Sequence, residues 1–149
     1  METRHEAWWG QGAYHLGGAP SPHVANGGAK FLGKYRQPGP LADIGVWQGR
    51  NLPALLSLSG EVVATDTLEA AGAVAEARQK HKAVQFFTAP LTALPFKGGA
   101  LGGALSWRVL HNLTNAREQA AAWYELNRVL APDAPLVIAV RTEPQPGHL

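Results

Sequence analysis

Glycines and an acid follow the first apolar segment of the chain in a pattern suited to holding a polar ligand. Asp43, Gly45 and Gly49 lie in the segment LADIGVWQGR, residues 41–50. Glycine at a strand-to-helix turn leaves the backbone open, so that a ligand can approach it closely. Trp47 stands where such turns usually place another glycine. Its large indole would either fill the ligand space or turn aside and form a wall of it.

Asp66 follows a second apolar segment, EVVAT, at residues 61–65. A carboxylate at the end of such a strand can accept hydrogen bonds from a bound ligand. The alternative is a helix N-cap, because Asp66 and Glu69 have the spacing of a capping pair. For Asp43 the alternative is a turn acid that is solvated or binds the backbone. The sequence leaves both alternatives open.

Apolar periodicity, glycine and proline divide the chain into alternating strands and helices. Strands are predicted at residues 41–45, 61–65, 83–87, 104–107 and 135–140. Helices are predicted at residues 23–35, 51–58, 67–80 and 115–130, the last with Asn115 and Glu118 as a capping pair. The alternation predicts an α/β fold with a mostly parallel sheet of about five strands and helices on both faces. Ligands of such sheets bind beyond the carboxyl ends of the strands.

Two further segments are rich in glycine and proline, and no regular structure is predicted for them. Residues 1–22 form a loop-rich arm whose aromatic side chains are expected to pack on the body. Residues 90–103 form a connection that is expected to be poorly ordered, with a lid as the alternative. We divide the chain into an N-terminal arm and helix, residues 1–38, and a main domain, residues 39–149, within one structural unit.

Five segments in order resemble the class I methyltransferases that use S-adenosylmethionine. They are LADIGVWQGRNLPALL, EVVATD, LTALPF, LSWRVLHNLT and ELNRVLAPDAPLVIAV. In the family they correspond to the glycine loop after strand one, the acid after strand two, a loop after strand three, strand four, and the helix end before strand five. The resemblance covers residues 39–141 and implies a Rossmann-like three-layer sandwich. It also implies methyl transfer from S-adenosylmethionine to an acceptor that the sequence does not specify.

The resemblance implies which residues would hold the cofactor. They belong to the first two strand ends and to the backbone of two later segments: Asp43, Gly45, Trp47, Gly49, Asp66, Thr67, Leu91 and Ser106. No catalytic residue is identified, because methyl transfer needs chiefly in-line placement of donor and acceptor. His111, with Arg108 and Asn112 beside it, is a candidate base or substrate ligand after the fourth strand, and local packing is the alternative.

Several positions depart from the family pattern. Besides Trp47, Pro90 replaces an acid that often meets the adenine amino group, and Gly102 replaces the acid of a Phe-Asp pair. The Pro-Gly-Gly turn before strand five has become PDA, at residues 132–134. These departures support an alternative hypothesis: a non-catalytic pseudo-methyltransferase that acts as a binding or self-association module with a blocked cofactor site.

The C-terminal part of the family pattern is also shortened. The family normally continues past strand five with a helix and an antiparallel hairpin, whereas this sequence stops at Leu149. Strand five would then lie at an exposed sheet edge, and such edges invite pairing or cover. We therefore expect a homodimer through the strand-five edge, or the N-terminal arm folded over it.

Composition excludes several classes of function. The chain has no cysteine, and its six histidines include no pair with the spacing of a helical zinc motif, so no metal site is expected. A net charge of +2 with scattered basic residues does not indicate a nucleic-acid partner. No segment is apolar for about 18 residues, so no membrane span is expected. The segment METRHEAWWGQG lacks the apolar region of a signal peptide, and we expect a cytoplasmic protein.

Overall fold

A sheet of five parallel strands forms the middle layer of the molecule in the computed structural model, which describes residues 27–107, 109–110 and 113–139. The strand order is β3-β2-β1-β4-β5. The strands are β1 Leu41–Ile44, β2 Val62–Asp66, β3 Gln85–Thr88, β4 Gly103–Trp107 and β5 Leu136–Ala139. Every neighbouring pair is parallel, so the carboxyl ends of all five strands meet at one edge.

Helices cover both faces of the sheet. They are α1 Ala29–Tyr35, α2 Leu52–Leu56, α3 Ala71–Lys80 and α4 Ala116–Val129, and a 3₁₀ turn at Leu68–Ala70 precedes α3. Alternate residues of a strand point to opposite faces. In β1, Leu41 packs with the core cluster that includes residues of α1, α2 and α3, and Ile44 packs with the cluster of α4. The predicted Rossmann-like three-layer α/β fold is confirmed.

Helix α4 begins where the sequence predicts. The Asn115 side chain accepts a hydrogen bond from the Glu118 backbone N–H at 2.8 Å, which confirms the cap at this residue. The stripe formed by Ala122, Leu126 and Val129 is fully buried against the sheet. At the start of α3, however, the structure does not show the alternative of Asp66 as a helix cap. The residue before the 3₁₀ turn is Thr67, which makes no side-chain cap bond, and the Asp66 carboxylate accepts the backbone N–H groups of Trp47 and Thr67.

The connection between β3 and β4 is ordered by its contacts with α4, so the expectation of a poorly ordered segment is wrong. Leu91, Leu94 and Leu101 are buried in the cluster on the α4 face. The Leu101 backbone N–H donates to the Val129 carbonyl at 2.9 Å. Buried apolar side chains and satisfied backbone groups hold the segment against the helix despite its glycine content.

Gly102 lies where the chain crosses itself before β4. A side chain at this position would overlap the carbonyl oxygen of Gln37, and its Cβ would lie 2.7 Å from the Gly39 carbonyl oxygen. The Gly102 N–H donates to the Pro40 carbonyl, and its own carbonyl accepts the Gln37 N–H, both at 2.9 Å. Residues 37–40 therefore occupy the space that the side chain of an aspartate would need at this position. This explains why the aspartate of the family's Phe-Asp pair is replaced by glycine.

None of the described helices has both the length and the apolar character needed to cross a membrane.

The predicted arm at residues 1–22, and the first residues of the helix predicted to begin at residue 23, lie outside the described residues. The described part of that helix is α1, whose Leu32 is fully buried in the core.

Candidate functional site

The turn after β1 is held against the end of β2. The backbone N–H groups of Gly45 and Val46 both donate to the Thr65 carbonyl, at 2.9 and 3.0 Å. Gly45, Trp47 and Gly49 have φ angles of 82°, 50° and 78°, so the turn passes three times through the left-handed region. That region favours glycine, and a tryptophan there is unusual.

The Trp47 side chain lies at the surface. It is 54% exposed, so the indole is not enclosed in a cavity among the described residues. Its backbone has the left-handed conformation that a glycine would adopt at this position. The turn thus keeps a glycine-like backbone path, at the cost of holding a large side chain in a region where Cβ is crowded.

Asp66 joins the turn after β1 to the loop after β2. Its Oδ2 accepts the backbone N–H of Trp47 and its Oδ1 accepts the backbone N–H of Thr67, both at 2.8 Å. Each carboxylate oxygen has a further lone pair that can accept another donor. The two backbone bonds therefore orient the carboxylate and leave it able to bind ligand hydroxyls.

Asp43 lies beneath the same turn and is 2% exposed. It is paired in register with Ala64 of β2, so Asp43 and Asp66 point to the same face of the sheet from neighbouring strands. Its Oδ1 has no hydrogen-bond partner within the described residues. Burial, and to a lesser degree the charge of Asp66, raises the pKa of the Asp43 carboxyl from 3.8 to about 7. A buried carboxyl oxygen without a partner can receive a donor group from a ligand or carry a proton itself.

The glycines of the turn make room for other parts of this chain. A Cβ on Gly45 would overlap the Val109 side chain, and a Cβ on Gly49 would lie 2.9 Å from atoms of both Ala77 and Leu52. Close packing therefore explains why glycine is needed at both positions. That the same glycines also admit a cofactor stays a prediction.

The remaining predicted site residues lie on the α4 side. Leu91 is buried in the same apolar cluster as Ile44. Ser106 is fully buried in β4, in register with Ile44, and its hydroxyl has no partner in the described part of the chain. Thr65, which was not predicted as a site residue, flanks Ile44 on the other side, and its hydroxyl also has no partner among the described residues. Its position directly before Asp66 at a strand end was the available signal.

Val109 was also missed, although it sits over Gly45 in the loop after β4. No sequence signal connects the two residues, since their contact depends on the pairing of β1 with β4. The candidates His111, Arg108 and Asn112 lie outside the described residues. Within the described ranges, no three His, Asp or Glu side chains are grouped so that they could hold a metal ion.

A parallel α/β sheet with an acid and a glycine turn at the carboxyl ends of its central strands defines a class of ligand-binding domains. Residues 42–138 match the family model described as a methyltransferase domain. The match covers more than half of the chain, so the protein belongs to the methyltransferase domain family. No curated protein matches the chain in sequence.

Solved structures share the fold at low sequence identity. The YcgJ protein from Bacillus subtilis has a TM-score of 0.69 and is 20% identical, over 83% of this chain and 52% of that one. CalS10, an amino pentose methyltransferase from Micromonospora echinaspora solved with bound SAM, has a TM-score of 0.69 and 19% identity, over 81% and 51%. Phosphoethanolamine N-methyltransferase 1 from Haemonchus contortus has a TM-score of 0.65 and 18% identity, over 77% and 25%. The chain thus spans about half or less of the length of these structures.

Proposed function

We propose that this domain binds S-adenosylmethionine at the carboxyl ends of β1 and β2 and transfers its methyl group to an acceptor. The observation that carries the proposal is the Asp66 carboxylate, oriented by the Trp47 and Thr67 N–H groups at the end of β2. It stands in a chain that belongs to the methyltransferase domain family. The residues present are compatible with this cofactor, because Asp66 retains lone pairs and Asp43 Oδ1 has no partner among the described residues.

Each group of the site has a distinct task in this proposal. Asp66 would accept the ribose hydroxyls, and the buried oxygen of Asp43 would accept a donor from the same ligand. The backbone near Thr67, Leu91 and Ser106 would complete the pocket. When bound, the cofactor would supply a methyl group that is attached to a positively charged sulfonium sulfur. The sulfur would become a neutral thioether when the methyl group is transferred. The protein's contribution is to hold the two reactants in line and to exclude water from them.

The Trp47 indole would form a wall of the site in this arrangement. Its exposure of 54% supports a position at the mouth, and nothing in the described residues places it inside a closed hollow. We propose no acceptor, because the structural relatives are named for different ones: an amino pentose for CalS10 and phosphoethanolamine for the Haemonchus protein.

Calorimetric titration of the protein with S-adenosylmethionine and S-adenosylhomocysteine tests the proposal. We expect saturable binding that Asp66→Ala weakens by about tenfold or more, equivalent to about 1.4 kcal/mol. Glu61→Ala is the matched control, because this exposed acid lies at the opposite end of the same strand. Absence of both heat and thermal stabilisation at millimolar ligand would refute cofactor binding, and the blocked-site module would then be the better hypothesis.

We further propose self-association through the outer edge of β5. Of the described strands, only β4 pairs with β5, and this supports an edge that is open to a second copy or to the N-terminal arm. A purely monomeric mass in light scattering at micromolar concentration would refute the dimer.

Two other proposals follow from the sequence. We propose that the protein is located in the cytoplasm, because the chain has no cysteine. We also propose a domain boundary near residue 38.

A further inference from the structure

Two side chains of α4 hold the connection between β3 and β4 at its middle. Glu125 Oε2 accepts the Leu94 backbone N–H at 2.7 Å. Arg128 Nη2 donates to the Leu94 carbonyl at 3.1 Å. Both polar groups of one peptide residue are therefore bound by the same helix, 31 and 34 residues further along the chain.

Arg128 makes further hydrogen bonds along the connection. Its Nη1 donates to the Phe96 carbonyl at 2.8 Å, and its own backbone carbonyl accepts the Gly99 N–H at 2.8 Å. Three points of the connection are thus attached to the last turns of α4. We call Glu125 and Arg128 the α4 clasp.

The two clasp residues also fix each other. Arg128 Nε donates to Glu125 Oε1 at 2.6 Å, and Nη2 donates to Oε2 at 2.8 Å. This bidentate pair has the geometry that favours arginine over lysine. The hydrogen bond from Arg128 is the main cause that lowers the pKa of Glu125. Both side chains are largely covered, with exposed fractions of 11% for Glu125 and 30% for Arg128.

The connection carries this constraint to the candidate site. Leu91 lies three residues before Leu94, and a turn with a 3.1 Å hydrogen bond from the Ala93 N–H to the Pro90 carbonyl joins them. Just upstream, the Ala89 N–H donates to the Asp66 carbonyl at 2.9 Å. Leu91 and Leu94 are both buried in the cluster on the α4 face. The backbone at Leu91 is therefore held between Asp66 on one side and the clasp on the other.

We infer that Glu125 and Arg128 are positioning residues of the cofactor site, which set the place of the cofactor-facing backbone at Leu91 through their bonds to Leu94 and Phe96. This inference rests on the proposed function, since it assigns the clasp to the same cofactor. In this role the clasp acts through its bonds to the connection, and not by direct contact with the cofactor or the acceptor.

Three substitutions separate the parts of the clasp. Arg128→Lys keeps the positive charge, but an ammonium has three N–H donors on one nitrogen and cannot replace the four hydrogen bonds that the guanidinium makes from three nitrogens. Glu125→Ala removes the acceptor for the Leu94 N–H, whereas Glu125→Gln retains an oxygen for it. Val137→Ala is the control, because it removes buried methyl groups from β5 on the opposite face of the sheet. Each variant is compared at a temperature well below its own Tm.

Two readouts are required: the Kd for S-adenosylhomocysteine by calorimetry, and amide hydrogen exchange of residues 90–99. We expect Arg128→Lys and Glu125→Ala to accelerate exchange in this segment and to raise the Kd about tenfold. Glu125→Gln should recover part of the affinity, and Val137→Ala should leave the Kd unchanged even when its Tm falls as far.

The outcomes distinguish a failure of the proposed function from a failure of the positioning role alone. If the unmodified protein binds no S-adenosylhomocysteine, the proposed function fails, and the positioning role fails with it. If the unmodified protein binds, and the clasp variants accelerate exchange without changing the Kd, only the positioning role is overturned. An equal rise of the Kd in Val137→Ala would also overturn it, because the effect would then follow from lost stability.

Discussion

The buried carboxyl of Asp43 makes the stability of this domain depend on pH in a defined direction. Its pKa is raised from 3.8 to about 7, chiefly by burial and also by the charge of Asp66. The folded state therefore binds a proton more tightly than the unfolded state between these values. Stability from this group is fully present below pH 3.8 and is lost as the pH rises through about 7.

Asp43→Asn removes this dependence, because the amide has a similar shape and stays neutral. A difference between 3.8 and about 7, at about 1.4 kcal/mol for each pH unit, corresponds to about 4 kcal/mol. We expect the variant and the unmodified protein to have similar free energies of unfolding near pH 4. Above pH 7 the variant should be more stable by up to about 4 kcal/mol, which for a chain of this size raises Tm by roughly 10 °C.

Urea unfolding of the ligand-free protein at several pH values between 4 and 8 measures this difference. The decisive quantity is the gain of Asp43→Asn over the unmodified protein at each pH. A gain that is constant across the range would refute the reasoning, because it would show that Asp43 has the same pKa in the folded and unfolded states. Asp66→Asn should reduce the gain without abolishing it, since burial is the larger cause.

Two predictions concern backbone positions. Gly102→Ala should destabilise the fold by about 3 kcal/mol, because its Cβ would overlap the Gln37 carbonyl and approach that of Gly39. The control Gly72→Ala lies in the first turn of α3, where an added Cβ would meet no atom within 4 Å outside its own helix backbone and chain neighbours, and it should stabilise the fold by up to about 1 kcal/mol in urea unfolding. Equal effects at both positions would contradict the packing argument. Trp47→Gly should be more stable than Trp47→Ala by about 1 kcal/mol, the reverse of the usual order, because the φ of 50° disfavours any Cβ. The same unfolding experiment decides this, and a more stable Trp47→Ala would show that the turn has relaxed.

The strands could be predicted from local pattern with small errors at their ends. The apolar segments around Ile44, Ala64, Leu105 and Val137 each become a strand within one or two residues of the predicted bounds. A strand covered on both faces is apolar at most of its positions, and this pattern is visible in a single segment. The cap at Asn115 was predictable for the same reason, since donor and acceptor are three residues apart.

Polar partners over longer distances could not be predicted in this way. Asp66 has the spacing of a helix cap, yet its carboxylate binds the Trp47 N–H, 19 residues earlier in the chain. A capping pattern in the sequence indicates only a hydrogen-bond partner that lies nearby in the chain. The pairing of β1 with β2 brings a competing backbone N–H donor to the same carboxylate. The glycine-rich connection before β4 was misjudged in the same way, because the residues that order it lie on α4.

At the departures from the family pattern, the reason for the residue type is likewise visible only in the structure. Trp47 and Asp133 stand where the family has glycine, and both have positive φ angles, of 50° and 65°. The backbone path is thus retained although the residue type is not. At Gly102 the reverse holds, since the crossing of residues 37–40 leaves no room for any side chain.

The order of the elements and the parallel sheet could be read from this sequence alone, because burial and helix capping act on neighbouring residues and leave a periodic record. The family followed from the resemblance of five ordered segments to the methyltransferases. Only the tertiary structure decided which groups meet at the strand ends: the Trp47 N–H with Asp66, Val109 over Gly45, and the α4 clasp on Leu94. Each of these contacts joins residues far apart in the chain. Its energy depends on distance and burial after the sheet has formed, and neither quantity is recorded in any local stretch of sequence.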